Sequence, residues 1–188
     1  TLTAEARDLS ELAKGIADYT RTEGQPAAQS VDLDGILVDV IKGLGTLIAK
    51  SGAEVSVDSG LGVVMGNAKQ LRQVYWNLLE NALKFRDPQR RPLIRVALAP
   101  SDAASGATDD DRIDVLVSDN GLGIPADKLE AVFEAFCRLN PREDYPGMGL
   151  GLSFCRKIVE GLGGQIHAES TPGEGSTFHV VLPRPGGA

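Results

Sequence analysis

The chain has 188 residues, enough for one domain of ordinary length with a short appendage and too few for a multidomain assembly. Apolar residues make up 42% and charged residues 24%, which excludes wholesale disorder and fibrous repeats. Acidic residues number 26 against 19 basic ones, for a net charge of -7; that sign is wrong for coating nucleic acid or anionic lipid, so any anion must be bound locally.

Cys137 and Cys155 match no metal-ligand spacing and read as buried, reduced thiols, which points to the cytoplasm. No apolar run has the length of a membrane span, and no secretory leader is evident. The chain opens with Thr1 rather than Met and reads as a piece of a longer protein. Glycine is the outlier: there are 22, several of them closely grouped toward the C-terminus.

Leu2, Leu9 and Ile16 recur at steps of seven, with Leu12 and Tyr19 between, predicting a helix over 2–20 that packs on another helix. Residues 21–31 hold Gly24 and Pro26 without periodicity and read as a linker. A second helix, capped by Asp32 or Asp34, runs to about Ser51 with Ile36, Leu37, Val40, Ile41, Leu44, Leu47 and Ile48 at helical spacing, and Gly52 ends it. Glu54–Asp58 and Gly62–Gly66 read as two strands joined by a turn.

A third helix is predicted from Asn67 to Phe85. Leu71, Val74, Leu78, Ala82 and Phe85 fall on one side, while Gln73, Asn77, Glu80 and Lys84 lie opposite with Asn81 at the edge. Asparagine is a poor helix former, so two of them four residues apart call for a reason beyond propensity. An amide oxygen suits Mg²⁺ that already carries phosphate oxygens, and an ammonium one turn away meets phosphate charge. A solvated polar face fits the same spacing.

Strands follow at Leu93–Leu98 and Arg112–Ser118, separated by a polar hairpin loop. The run VSDNGLGI, residues 117–124, ends a strand in Asp119 and continues into a turn with Gly121 and Gly123. A carboxylate there can accept a hydrogen bond from an exocyclic amine such as that of adenine, and glycines leave room for a ring. Ordinary Asp-Gly turns share this pattern. Residues 126–136 are predicted helical, and 139–147, with two prolines, can cover a ligand as a lid.

In PGMGLGLSFCRKIVE, residues 146–160, Gly147, Gly149 and Gly151 lead into a helix from about Leu150 to Leu162, whose free amides and dipole favour anions. It is neither the dinucleotide fingerprint nor a Walker P-loop. Taken alone, it also suits a plain surface loop. Strands near Gln165–Glu169 and Thr177–Leu182 complete the domain. The mixed order of elements predicts an α+β fold with helices layered on one face of a mixed sheet.

Five motifs follow in order: NxxxNAxKF from Asn77, DxGxGI from Asp119, FEAF at 133–136, GxGLGL from Gly147, and GEGSTF at 173–178. The stretch from about Val31 to Pro183 thereby resembles the catalytic, ATP-binding domain of sensor histidine kinases, in the superfamily that includes DNA gyrase, the heat-shock-ninety chaperones and the MutL repair proteins. The short RLNPREDYPGMGLGL lid is similar to that of the phytochrome-linked subgroup.

The resemblance implies a two-layer α/β sandwich of the Bergerat type with ATP and Mg²⁺ as cofactors. It implies that Asn81 is the Mg²⁺ ligand, Asn77 a supporting polar residue, Lys84 a phosphate contact and Glu80 an acid that helps activate the acceptor. Asp119 is expected to read adenine, with Thr177 supporting it through water. Gly121, Gly123, Gly147, Gly149 and Gly151 are expected around base and phosphates, with Leu150 and Leu152 beside them. Phe133 and Phe136 are expected to anchor the lid, with Arg138 and Arg142 in reach of phosphates.

Relatives that hydrolyse ATP place a glutamate where this chain has Asn77, so phosphoryl transfer to a protein nucleophile is favoured over hydrolysis. The implied organisation is a helix of a dimerisation hairpin at 1–22, a linker at 23–31, the catalytic domain at 32–184 and a tail at 185–188. His167 and His179 sit in strand patterns and neither fits the acceptor, which is expected on a helix upstream of Thr1. A response-regulator receiver domain and a second copy of the full-length protein are the expected partners, without nucleic acid. Two rivals are a degenerate nucleotide-sensing or scaffolding module and a protein-serine kinase of the anti-sigma type. The intact motifs argue against the first and the hairpin-like residues 1–22 against the second.

Overall fold

The computed structural model describes residues 29–100, 111–139, 145 and 148–186. The helix expected over 2–20, most of the polar loop before Arg112, Arg142 and Gly147 lie outside the described residues.

Helix α1 (Leu33–Ser51) starts where the Asp32 carboxylate accepts the amides of Asp34 and Gly35, at 3.2 and 3.3 Å. Asp32 is therefore the cap. Asp34 faces another way and accepts from the amides of Gly60 and Gly62. The helix buries Leu33, Ile36, Leu37, Val40 and Leu44 and ends at Gly52 in the left-handed region. Ahead of it, strand β1 (Gln29–Asp32) pairs antiparallel with β3 (Val63–Gly66), so residues 29–31 are ladder rather than linker.

Helix α2 (Ala68–Lys84) is capped by Asn67, whose side-chain oxygen accepts from Lys69 and Gln70. It buries Leu71, Val74, Tyr75, Leu78, Leu79, Ala82 and Leu83. Phe85, expected on the core side, is the half-buried residue that ends the helix. Its ring lies 5.2 Å from that of Tyr145.

The main sheet has the order β2 (Glu54–Val57), β4 (Leu93–Leu98), β5 (Arg112–Asp119), β7 (Gly175–Pro183), β6 (Gln165–Thr171). The β2–β4 pair is parallel and the others are antiparallel. β2 and β3 are thus not partners of one hairpin; they belong to different sheets. Period-two alternation points Ile94, Val96, Ile113, Val115, Val117, Phe178, Val180 and Leu182 into the core. α2 and the helix α3 (Gly151–Gly161) pack against one another over this side, and on the other Arg95 is exposed and Asp114, Ser118 and His179 are partly exposed.

The helix expected over 126–136 is replaced by two single 3₁₀ turns, Ala126–Lys128 and Ala131–Phe133. Only Val132 and Phe133 are buried in them, too short an apolar face to hold a longer helix on the core. The Phe136 amide donates to Gly149 O at 2.9 Å instead of continuing a helical ladder. Phe133 is buried as expected of an anchor, but the Phe136 side chain is 59% exposed and that residue holds the segment through its backbone.

Tyr75 is fully buried with no hydrogen-bond partner for its hydroxyl among the described residues, and burial holds its phenol well above its ordinary pKa. Removing an unsatisfied hydroxyl removes a desolvation cost. Tyr75→Phe is expected to leave the urea-unfolding free energy unchanged or raise it by about 1 kcal/mol; a comparable loss would mean that the hydroxyl has a partner.

Candidate nucleotide site

α2, the loop after β5, the approach to α3 and the start of β7 enclose a cleft of about 760 Å³. Asn77, Glu80, Asn81, Lys84, Asp119, Gly123, Gly149, Leu150, Gly151 and Leu152 all line it. Segments from opposite ends of the sequence therefore meet in one concavity.

The two asparagines of α2 differ in their bonding. Asn77 donates to Gly151 O at 3.4 Å and to Cys155 Sγ at 3.7 Å, and accepts from Gln73 Nε2 at 3.2 Å. It ties α2 to the first turn of α3. The Asn81 side chain makes no hydrogen bond among the described residues and faces the cleft with its amide available. One turn on, Lys84 is half-buried, and its ammonium lies 4.7 Å from the Phe85 ring centroid. Burial lowers its pKa first and Arg138 adds to the lowering, while Glu80 opposes it. Arg138 donates to Tyr145 O and also lines the cleft. A half-buried ammonium with an exposed guanidinium beside it on the same cleft favours an anion there.

Asp119 ends β5 with its carboxylate in the cleft wall. Burial raises its pKa, and backbone amides of Gly121 and Ser176 pull it back. The Gly121 amide donates to Oδ1 at 2.8 Å, and a Cβ at Gly121 would press on that oxygen and on Phe85 O. Gly123 has φ +73 and packs against Thr171 O so closely that no side chain fits. Gly149, at φ +71, abuts Cys137 O in the same way.

The loop itself is pinned from three sides. Leu122 donates to Phe85 O, Asn120 exchanges bonds with Leu93 and donates to Arg91 O, and Gly173 donates to Leu122 O. Arg90, unmarked by any sequence motif, donates to Gly121 O at 3.0 Å and Gly173 O at 2.8 Å while paired with Asp87. It clamps the glycine loop to the β6–β7 turn. Ser170 accepts from the Ile124 amide at 2.7 Å and gives its single proton to Gly175 O at 2.6 Å, so Ser176 is the donor across their 3.0 Å contact.

Thr177 does not join the cleft. Ser176 is the residue opposite Asp119 in the ladder and lines the cleft, whereas Thr177 is opposite Ser118 and bonds its hydroxyl at 2.9 Å. Successive strand residues point to opposite faces, so the expected hydroxyl is displaced by one position. Gly121 also stands behind the cleft wall, supporting Asp119. Cys155 is fully buried with its thiol pushed up to about 12 and is chemically quiet; Cys137 is half-buried and free.

Ionised Asp119 is costly to the folded domain: a raised folded pKa makes its stabilising contribution complete below the unfolded pKa and lost as pH rises through the folded one. Asp119→Asn is expected to raise the urea midpoint at pH 7, with the gain shrinking as pH falls into the carboxylate range. A lowered midpoint at pH 7 would contradict this.

The chain matches the family model described as histidine kinase-, DNA gyrase B- and HSP90-like ATPase over residues 66–186. It is 36% identical to phytochrome-like protein Cph1 of Synechocystis over 93% of this chain and 22% of that protein. It is 32% identical to adaptive-response sensory kinase SasA of Synechocystis over 94% of this chain and 43% of that protein. The chain therefore spans only about a fifth to under half of these relatives. Among solved structures, full-length ShkA in complex with AMPPNP matches with TM-score 0.74 at 25% identity, over 94% of this chain and 36% of that one. The catalytic domain of histidine kinase ThkA matches with TM-score 0.67 at 23% identity, over 85% and 99%. The cleft between α2 and the glycine loops thus lies in a known scaffold, and this chain belongs to the histidine kinase-, DNA gyrase B- and HSP90-like ATPase family.

Proposed function

We propose that this chain is the ATP-binding catalytic domain of a two-component sensor histidine kinase, which transfers the γ-phosphoryl group of ATP to a histidine supplied by another segment, for relay to a response-regulator aspartate. The observation that carries this reading is the pairing, within one cleft, of a desolvated carboxylate at Asp119 with two cations, Lys84 and Arg138, beside a glycine-led helix start. Such a cleft suits a ligand with an amine-bearing base at one end and polyphosphate at the other.

In this reading the Asp119 carboxylate accepts a hydrogen bond from the adenine amine, with Ser176 beside it in the role expected of Thr177. α3 has no side chain capping its first turn, which leaves backbone donors for phosphate oxygens. The free amide of Asn81 fits an Mg²⁺ ligand and Lys84 a phosphate contact. Magnesium supplies charge compensation on the phosphates when bound. Asn77, committed to Gly151 and Cys155, offers no base to activate water, which favours transfer over hydrolysis. Exposed Glu80 stands at the cleft edge, where an incoming imidazole would meet it. The chain's contribution is positioning and electrostatics.

His167 and His179 lie on β6 and β7, with side chains on the sheet face turned away from α2 and α3. Neither reaches the cleft, which supports an acceptor in trans or on another segment. We place the full-length protein in the cytoplasm as a homodimer; no helix of the described residues is long and apolar enough to cross a membrane.

Calorimetric titration with a non-hydrolysable ATP analogue tests the metal assignment. Asn81→Ala is expected to weaken binding in Mg²⁺ by about tenfold or more, as loss of a metal ligand does, and to leave binding in EDTA unchanged. An equal loss in both buffers would remove Asn81 from that role.

A further inference from the structure

The face of the sheet opposite the cleft holds a second cluster that the proposed kinase chemistry leaves unused. His167 on β6 and His179 on β7 are direct cross-strand neighbours. Their rings stack with centroids 4.3 Å apart and planes at 14°. Glu169, two residues along β6 on the same face, brings Oε2 to 4.0 Å from His179 Nε2. The ligand-bearing atoms of the three residues all lie within 4.8 Å of one another.

The protonation pattern of His179 follows from its other side. Its Nδ1 is 2.9 Å from Asp114 Oδ2, and since an ionised carboxylate only accepts, Nδ1 carries the proton. In the neutral ring Nε2 is then a lone-pair acceptor. That atom is buried and has no hydrogen-bond partner among the described residues, in a side chain only 15% exposed. A desolvated acceptor without a donor is an unfavourable arrangement. Protonating Nε2 does not resolve it: 4.0 Å to Glu169 is too long for a hydrogen bond, and the imidazolium would stack on a second imidazole.

A cation that accepts lone pairs does resolve it once the exposed His167 ring turns out of the stack, since two near-parallel rings cannot both aim an in-plane lone pair at one ion while Asp114 holds the His179 ring. We propose that His167, His179 and Glu169 form a binding site for a divalent first-row transition ion of the zinc class, with Asp114 as the outer residue that fixes the His179 tautomer. Two imidazoles and a carboxylate suit Zn²⁺ and its borderline neighbours and disfavour Mg²⁺, so this site differs in chemistry from the cleft. The carboxylate–histidine pair is the outer-shell arrangement typical of ligating histidines. Three protein ligands leave the remaining position to solvent, and the exposed Glu169 gives the ion its entry path. The ion would join β6 to β7 next to the Thr171–Gly175 turn, the same turn that Arg90 clamps to the glycine loop.

The test is zinc titration of the whole chain, free of affinity tags and chelators, followed by calorimetry and by the visible absorption of the Co²⁺ form. One-to-one saturable binding is expected, with a rise in unfolding temperature. His167→Ala and Glu169→Gln, both at exposed positions, are each expected to weaken binding by about tenfold or more while leaving affinity for the ATP analogue in Mg²⁺ unchanged. Cys137→Ser is the thiol control and is expected to retain the site. Absence of saturable binding, undiminished binding in His167→Ala, or loss of binding in Cys137→Ser would each overturn the proposal.

Discussion

One partly buried carboxylate sets the demands on the rest of the site. Asp119 is held away from water at a strand end, where burial disfavours its charge and the amides of Gly121 and Ser176 only partly compensate. Such a group persists only if the surrounding backbone fixes it. The Arg90 clamp, the Asn120 bonds to the start of β4 and the Ser170 hydroxyl network all serve that end. They hold the loop against the β6–β7 turn so closely that Gly123 and Gly175 admit no side chain.

The second wall depends on a helix with two opposed tasks. The apolar side of α2 is anchored by Leu71, Val74 and Leu78, none of them measurably exposed, and this burial fixes the rotation of the helix. Rotation in turn decides where Asn77, Asn81 and Lys84 point. Asn77 then bonds to the first turn of α3, so the two helices that frame the cleft are tied to one another. Asn81, one turn further, has no such bond among the described residues and faces the cleft. The same residue type thus serves structure at one position and availability at the next.

Periodicity made α1 and α2 legible, because both bury a long stripe against one core. The glycine motifs were legible for a different reason: close backbone approach and positive φ leave a residue-type signature, as at Gly123 and Gly149. What escaped depended on long-range partners. β1 exists because β3 lies beside it, and the segment after Pro125 stops at two 3₁₀ turns, beyond which the Phe136 amide bonds to Gly149. Leu47 keeps the apolar spacing of α1 yet is 42% exposed at the cleft. Arg90 bridges two carbonyls 52 positions apart in sequence, a role no local pattern announces. That Ser176 rather than Thr177 lines the cleft follows from strand parity: a motif gives order along the chain, whereas the ladder opposite Asp119 decides which hydroxyl lies on its face.

The central claim is that Asp119 reads an amine on a purine base. Competition between ATP and GTP for the cleft tests it directly, because guanine presents a carbonyl where adenine presents its amine. The account predicts a preference for ATP of roughly thirtyfold or more, about 2 kcal/mol for a charge-assisted hydrogen bond, and a collapse of that preference in Asp119→Asn, whose amide can also donate. Equal affinity for the two nucleotides, or a preference untouched by the substitution, would contradict it.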